Sequence, residues 1–117
     1  MYQGENAKFI IKLEDRNGNM IPKSDVSQIR ILIYGEADRR TYLRYFYPAV
    51  PDESPIEEVP DEEQFFFHID GAESLPLPPG RYMISIKSIT DSADFLEGLV
   101  DIEEAPIFTI VKTVIDG

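Results

Sequence analysis

Ile29-Arg30-Ile31-Leu32-Ile33-Tyr34-Gly35 is the stretch on which the reading of the fold turns. Ile29, Ile31 and Ile33 occupy every second position and alternate with Arg30, Leu32 and Tyr34, the period of a strand with one buried face. β-branched side chains pack well on a pleated surface, so the isoleucine face is expected at the centre of the core. Gly35 closes the run. Upstream, Phe9, Ile11 and Leu13 share a face opposite Lys8, Lys12 and Glu14. That first strand stops at Asp15-Arg16-Asn17-Gly18-Asn19, where Asn-Gly supplies the positive φ of a tight turn. Met20-Ile21-Pro22 is a short extended piece, and Ser24 to Ser27 reads as one helical turn or a loop, since Ser and Asp offer the backbone local hydrogen bonds.

Downstream of the isoleucines, Glu36 to Arg40 is a polar turn, and Thr41 to Tyr47 is a third strand paired with the second. Phe65, Phe67 and Ile69 restart the alternation, and the rigid turn Leu77-Pro78-Pro79-Gly80 launches Tyr82, Ile84, Ile86 and Ser88. Ser92 to Gly98 is a turn or short helical connection, and Leu99 to Thr113 is a last strand, broken or bulged near Ala105-Pro106. Residues 48–64 stand apart: four prolines, seven acids and no basic residue predict a mobile loop that does not pair into a ladder, with Val50, Ile56 and Val59 as its only apolar anchors. About seven strands at this spacing predict a single all-β domain over residues 1–117, built as a sandwich of two antiparallel sheets.

Composition narrows the function. With 117 residues and 43% hydrophobic content, the chain fills a core without metals or disulfides. The absence of cysteine excludes a disulfide framework and a thiolate metal site. The opening Met1-Tyr2-Gln3-Gly4-Glu5-Asn6 lacks a basic region followed by an apolar stretch, and no run has the length of a membrane span, so a soluble, leaderless protein is expected. Eleven basic residues against 22 acidic ones give a net charge of -11, which repels polyphosphate and argues against nucleic acid or an anionic membrane as partner.

Two sets of residues carry a resemblance. Leu77-Pro78-Pro79-Gly80-Arg81-Tyr82 resembles the Leu-x-Pro-Gly-x-Tyr corner of immunoglobulin-like and fibronectin-type sandwiches, which implies that Leu77, Pro79, Gly80 and Tyr82 form a structural corner with the Tyr82 hydroxyl bonded back to the backbone. The opening Tyr2-Gln3-Gly4-Glu5, then Phe9 to Asp15, Asn17-Gly18-Asn19 and Asp25-Val26, joined to that corner and to a closing strand ending near Ile115, is similar to small proteins encoded among bacteriophage and prophage tail and baseplate genes. These include the N-terminal immunoglobulin-like domain of baseplate upper proteins, and the similarity covers most of the chain except residues 48–64. It implies an immunoglobulin-like sandwich acting as a non-enzymatic virion component, assembled in the bacterial cytoplasm, with other virion proteins or itself as partner. It carries no functional residue over.

The residues themselves offer little chemistry. Asp15, Asn17 and Asn19 begin like a calcium loop, but Met20 and Val26 stand where such a loop needs Gly and a bidentate Glu, so a hairpin turn is the reading. Asp91, Asp94 and Glu97, with Asp101, Glu103 and Glu104, are read as solvated turn acids rather than a cation site. The lone His68 faces opposite to Phe67 and Ile69 on a strand, and the serines lie outside any nucleophile-elbow context. No catalytic, cofactor or metal residue is assigned. The sharpest contrast is between Arg39, Arg40 and Arg44, interleaved with Tyr42, Tyr45 and Tyr47, and the carboxylates Glu57, Glu58, Asp61, Glu62 and Glu63 that follow. Arg and Tyr are enriched at protein interfaces, so these residues form the expected interface, the arginines meeting the carboxylates of a neighbour. The competing reading is a hairpin with aromatics in the core and arginines in solvent. The alternative function is a carbohydrate- or ligand-binding sandwich, for which Tyr42, Tyr45 and Tyr47 are the only available platform in a chain without Trp.

Overall fold

The computed structural model describes residues 1–112, so the expected continuation of the last strand to Thr113 and Ile115 lies outside the described residues. The chain is all-β, with two sheets packed face to face. β1 (Ala7–Ile11), β6 (Phe65–Ile69) and β5 (Glu57–Glu58) form the smaller sheet in the order β1-β6-β5. The larger sheet runs β4-β3-β2-β7-β8, from β4 (Ser54–Pro55) through β3 (Thr41–Tyr47), β2 (Val26–Gly35) and β7 (Gly80–Thr90) to β8 (Leu99–Ile110). In the lettering of immunoglobulin domains, β1, β6 and β5 take the places of B, E and D, while β3, β2, β7 and β8 take those of C′, C, F and G. Strand A is reduced to a parallel bridge between Tyr2 and Val111.

The alternation in β2 places Ile29, Ile31 and Ile33 at 0% exposure, and β2 is the middle strand of its sheet. Facing them are Ile11, Phe65, Phe67 and Ile69 from the smaller sheet. An aromatic path stitches the layers together: Tyr42 to Tyr82 at 5.6 Å, Tyr82 to Phe108 at 5.4 Å, Phe108 to Phe9 at 6.2 Å, Phe9 to Phe67 at 5.2 Å and Phe67 to Tyr45 at 4.7 Å between ring centroids. Offset and edge contacts of this kind add to the burial of area alone. The last strand carries its irregularity beside Pro106: Met83 stands opposite Pro106 and Tyr82 opposite Phe108, so the register shifts and Ile107 is the bulged residue.

The corner is formed. Tyr82 is buried at the start of β7, and its hydroxyl donates to the Pro78 carbonyl at 2.6 Å. Leu77 is buried beneath it, and Gly80 takes φ 143°, a region closed to most side chains. Burial pushes the Tyr82 phenol up to about 12. Before the corner, Asp70 and Glu73 cap a single helical turn, α1 (Gly71–Ser74), reciprocally: the Asp70 carboxylate accepts from the Glu73 N–H at 3.0 Å, and Glu73 accepts from the Asp70 N–H at 3.2 Å.

One expectation is corrected. Residues 48–64 do pair into ladders: β4 lies parallel to β3, with Ser54 beside Tyr45, and β5 lies antiparallel to β6, with Glu57 opposite Phe66. The segment passes from one sheet to the other, and between its two short strands Ile56 enters the core at 2% exposure while its N–H donates to the Phe46 carbonyl at 3.0 Å. Repulsion among the acids does not prevent this, because Glu57 and Glu58 remain exposed and only backbone and one isoleucine are drawn inward. With these two strands the sheets hold eight among the described residues, against the expected seven: the six long runs are strands, and the extended piece at Met20 makes only an isolated bridge to Glu14.

Candidate interaction surface

The β2–β3 turn is built by Asp38. Its Oδ1 accepts from the Arg40 N–H at 3.0 Å, and its Oδ2 accepts from the Tyr42 hydroxyl at 2.5 Å. The bond from Tyr42, followed by that from the Arg40 backbone, holds the Asp38 carboxyl below the ordinary carboxylate range and raises the Tyr42 phenol. Arg39 takes φ 60°, and its guanidinium lies 5.6 Å from the Tyr34 ring centroid. Arg40 lies 5.5 Å from the Tyr42 ring. Stacking on aromatic faces holds both guanidinium groups at the surface with their charge available.

Along β3 the alternation separates the candidate residues. Arg44 is exposed on the outer face of the larger sheet, whereas Tyr45 is 1% exposed in the core. Tyr45 is therefore not available to a partner, which corrects its assignment to the interface. Its hydroxyl donates to Glu73 Oε2 at 3.2 Å, and burial first, then the Glu73 charge, raises its pKa far above that of a free phenol. Tyr42 and Tyr47 are partly buried against the core. Burial, then Glu58, raises the Tyr47 phenol. A flat sugar platform from Tyr42, Tyr45 and Tyr47 is not formed, because Tyr45 points inward. Aromatics thus fill the core while Arg44 is solvated, as in the competing hairpin reading, and Arg39, Arg40 and Arg44 make no ion pair among the described residues.

The carboxylates lie elsewhere. Glu57 and Glu58 sit on the edge of the smaller sheet, and Asp61, Glu62 and Glu63 form the β5–β6 turn at the end where β1 finishes and β2 begins. The Lys23 backbone N–H donates to Glu63 at 2.5 Å, and the Lys23 ammonium donates to the Val59 carbonyl at 2.8 Å. Arg39 and Arg40 stand at the opposite end, beside the corner. The structure thus brings the carboxylates together on one edge and does not bring them to the arginines. Among the described residues the ion pairs are Arg30–Glu53 at 3.0 Å and Arg81–Glu36 at 3.3 Å, so the guanidinium groups of Arg39, Arg40 and Arg44 take part in none.

His68 is exposed on the outer face of the smaller sheet, edge-on to Phe66 at 5.3 Å. The Asp15 turn bonds to itself, Asp15 Oδ1 accepting from the N–H groups of Asn17 and Asn19 at 2.9 Å each. Ser74 is buried and donates to the Glu5 carbonyl at 2.7 Å, a structural use of its hydroxyl. Among the described residues no three His, Asp or Glu side chains converge as a metal site, and no helix is long and apolar enough to cross a membrane.

Sequence reasoning missed the face of β8. Val100 and Ile102 are exposed on one side of this outermost strand, and the exposed Phe95 and Leu96 occupy the preceding turn. Val100 and Ile102 alternate with Asp101 and Glu103, the same period that any strand with one buried face shows, so the sequence does not mark this face as open. Compared with known proteins, the chain matches no family model and no curated sequence.

Proposed function

We propose that the protein is a non-enzymatic interaction module of a phage virion, in the tail, the baseplate or another part of the particle, assembled in the bacterial cytoplasm. Its immunoglobulin-like frame holds an arginine turn at one end and a carboxylate-rich edge toward the other, and assembly joins that turn to acidic side chains on a neighbouring copy or on a larger virion component. One observation carries this reading: among the described residues the guanidinium groups of Arg39, Arg40 and Arg44 make no ion pair, in a chain of net charge -11. Neutralisation of Arg39 and Arg40 by the acidic segment within one chain is disfavoured by their positions at opposite ends of the sandwich. The virion assignment is supported by the opening strand and the Leu77–Tyr82 corner, which resemble those of baseplate immunoglobulin-like domains.

Light scattering at low and high salt tests the contact, since exposed ion pairs are screened beyond a Debye length of about 8 Å at physiological ionic strength. A salt-sensitive oligomer of the wild type, lost in Arg39→Glu/Arg40→Glu, is the expected result. A monomer under every condition removes self-assembly through this surface.

A further inference from the structure

β8 is the outermost strand of the larger sheet, and only its last residues are covered. There the N-terminal residues lie alongside it in parallel, the Val111 N–H donating to the Met1 carbonyl at 2.8 Å and the Gln3 N–H to the Val111 carbonyl at 3.2 Å. From Leu99 to Ala105, up to Pro106, β8 pairs with β7 on one side, and no strand stands on its other side among the described residues. At about 3.3 Å per residue this leaves about 23 Å of edge with backbone donors and acceptors open to pairing.

The side chains of this edge divide cleanly between its two faces. Val100 and Ile102, 50% and 61% exposed, stand opposite Ile89 and Lys87 on the outer face. Asp101 and Glu103 stand opposite Ser88 and Ile86 on the inner face. That inner face is open because β1 and β6 have five residues each, against eleven in β7 and twelve in β8, so the smaller sheet stops short of it. The uncovered part forms one wall of a cleft of about 840 Å³, whose other wall is the connection between β1 and β2. Asp101 and Glu103 have no ion pair among the described residues.

We propose that this edge binds an extended segment of another protein by strand addition. The segment alternates apolar residues, which cover Val100 and Ile102, with lysines or arginines, which face Asp101 and Glu103. Backbone pairing supplies affinity and the alternating faces supply selection, as in other strand-addition complexes. A second copy of this chain is the wrong occupant, because an antiparallel pair of β8 strands sets the acids of one against those of the other. Residues 1–3 show that the same edge accepts a strand at its other end. This contact is separate from the arginine turn, so Arg39→Glu/Arg40→Glu leaves it intact, and either contact can fail without the other.

The probe is an N-acetylated, C-amidated heptapeptide alternating lysine and valine, added to the isotope-labelled protein and followed by backbone NMR and amide hydrogen exchange. Slowed exchange confined to residues 99–105 is the expected result. A peptide of the same composition with lysines and valines in separate blocks, and one N-methylated along its pairing edge, should each bind about tenfold more weakly or worse. Asp101→Lys/Glu103→Lys should exchange preference to a heptapeptide alternating glutamate and valine. Should that variant fail to fold, Asp101→Asn/Glu103→Gln should weaken the lysine peptide while keeping the wild-type melting temperature. Equal binding of the block or N-methylated peptide, protection centred on Glu57–Glu63, or no protection at all overturns the proposal. So does protection of β8 by raised protein concentration alone, which would make the occupant a second copy.

Discussion

The two ends of the sandwich are held in different ways. At the corner end side chains tie separate segments to one another, Ser74 to Glu5, Asn6 to Gly71 and Gln3 to Leu77, and the buried Tyr82 closes the corner on Pro78. At the other end the Asp15 turn bonds only within itself, Ser92 accepts from the neighbouring Asp94 N–H, and Phe95 and Leu96 are held out in water. Lys23, tied to Val59 and Glu63, and Ser27, whose hydroxyl donates to the Ile89 carbonyl at 2.9 Å, are the exceptions. One end therefore carries the stability of the fold, and the other can vary its side chains at little cost, a division that suits a module presenting a surface from a rigid base.

The largest effect is expected at Tyr82. Tyr82→Ala removes a buried ring in contact with Tyr42 and Phe108 as well as the bond to Pro78, and should destabilise the protein by about 2–5 kcal/mol in thermal or denaturant unfolding. Tyr82→Phe keeps the ring and should lose only about 1 kcal/mol. Equal melting of wild type and Tyr82→Ala would show that the corner does not carry the fold.

Titration sharpens the same contrast. Tyr82 and Tyr45 have folded pKa values raised above those of free phenols, chiefly by burial. Their protonated forms are favoured by the folded state, so their contribution is fully present below pH about 10 and is lost as pH rises above it, for Tyr82 through about 12. Melting temperature should fall over this alkaline range, and less steeply in Tyr82→Phe and in Tyr45→Phe. A profile identical in all three proteins would sever the link between these phenols and alkaline unfolding. The smallest effect belongs to the opposite end: Leu96→Ser, at a fully exposed position, should change stability by less than about 0.5 kcal/mol, and a larger loss would mean that the turn is packed after all.

Period-two alternation made β2, β3, β6 and β7 legible, because each has one face against the core and a long enough run to show it. The pairing of residues 48–64 was hidden for the opposite reason: β4 and β5 are two residues each, and one isoleucine among seven acids carries the burial. α1 did have a signal, Asp70 followed three residues later by Glu73, which marks a capped turn wherever it precedes an apolar residue. The candidate site was only partly legible. Residue type singled out Arg39, Arg40 and Arg44, whereas the inward direction of Tyr45 depends on its pairing with Ile31. The open face of β8 depends on a difference in strand length between sheets, and no local pattern encodes that.

The parallel bridge of Tyr2 to Val111 has a mechanical consequence. Tension applied to the described chain through its two ends draws residues 1–3 and 109–111 past each other along their own length. The bonds from Met1 N to Thr109 O, Val111 N to Met1 O and Gln3 N to Val111 O, at 3.0, 2.8 and 3.2 Å, are then strained together rather than peeled one after another. The ends of the sandwich are latched in shear, and a pulling force meets this latch before it reaches the core.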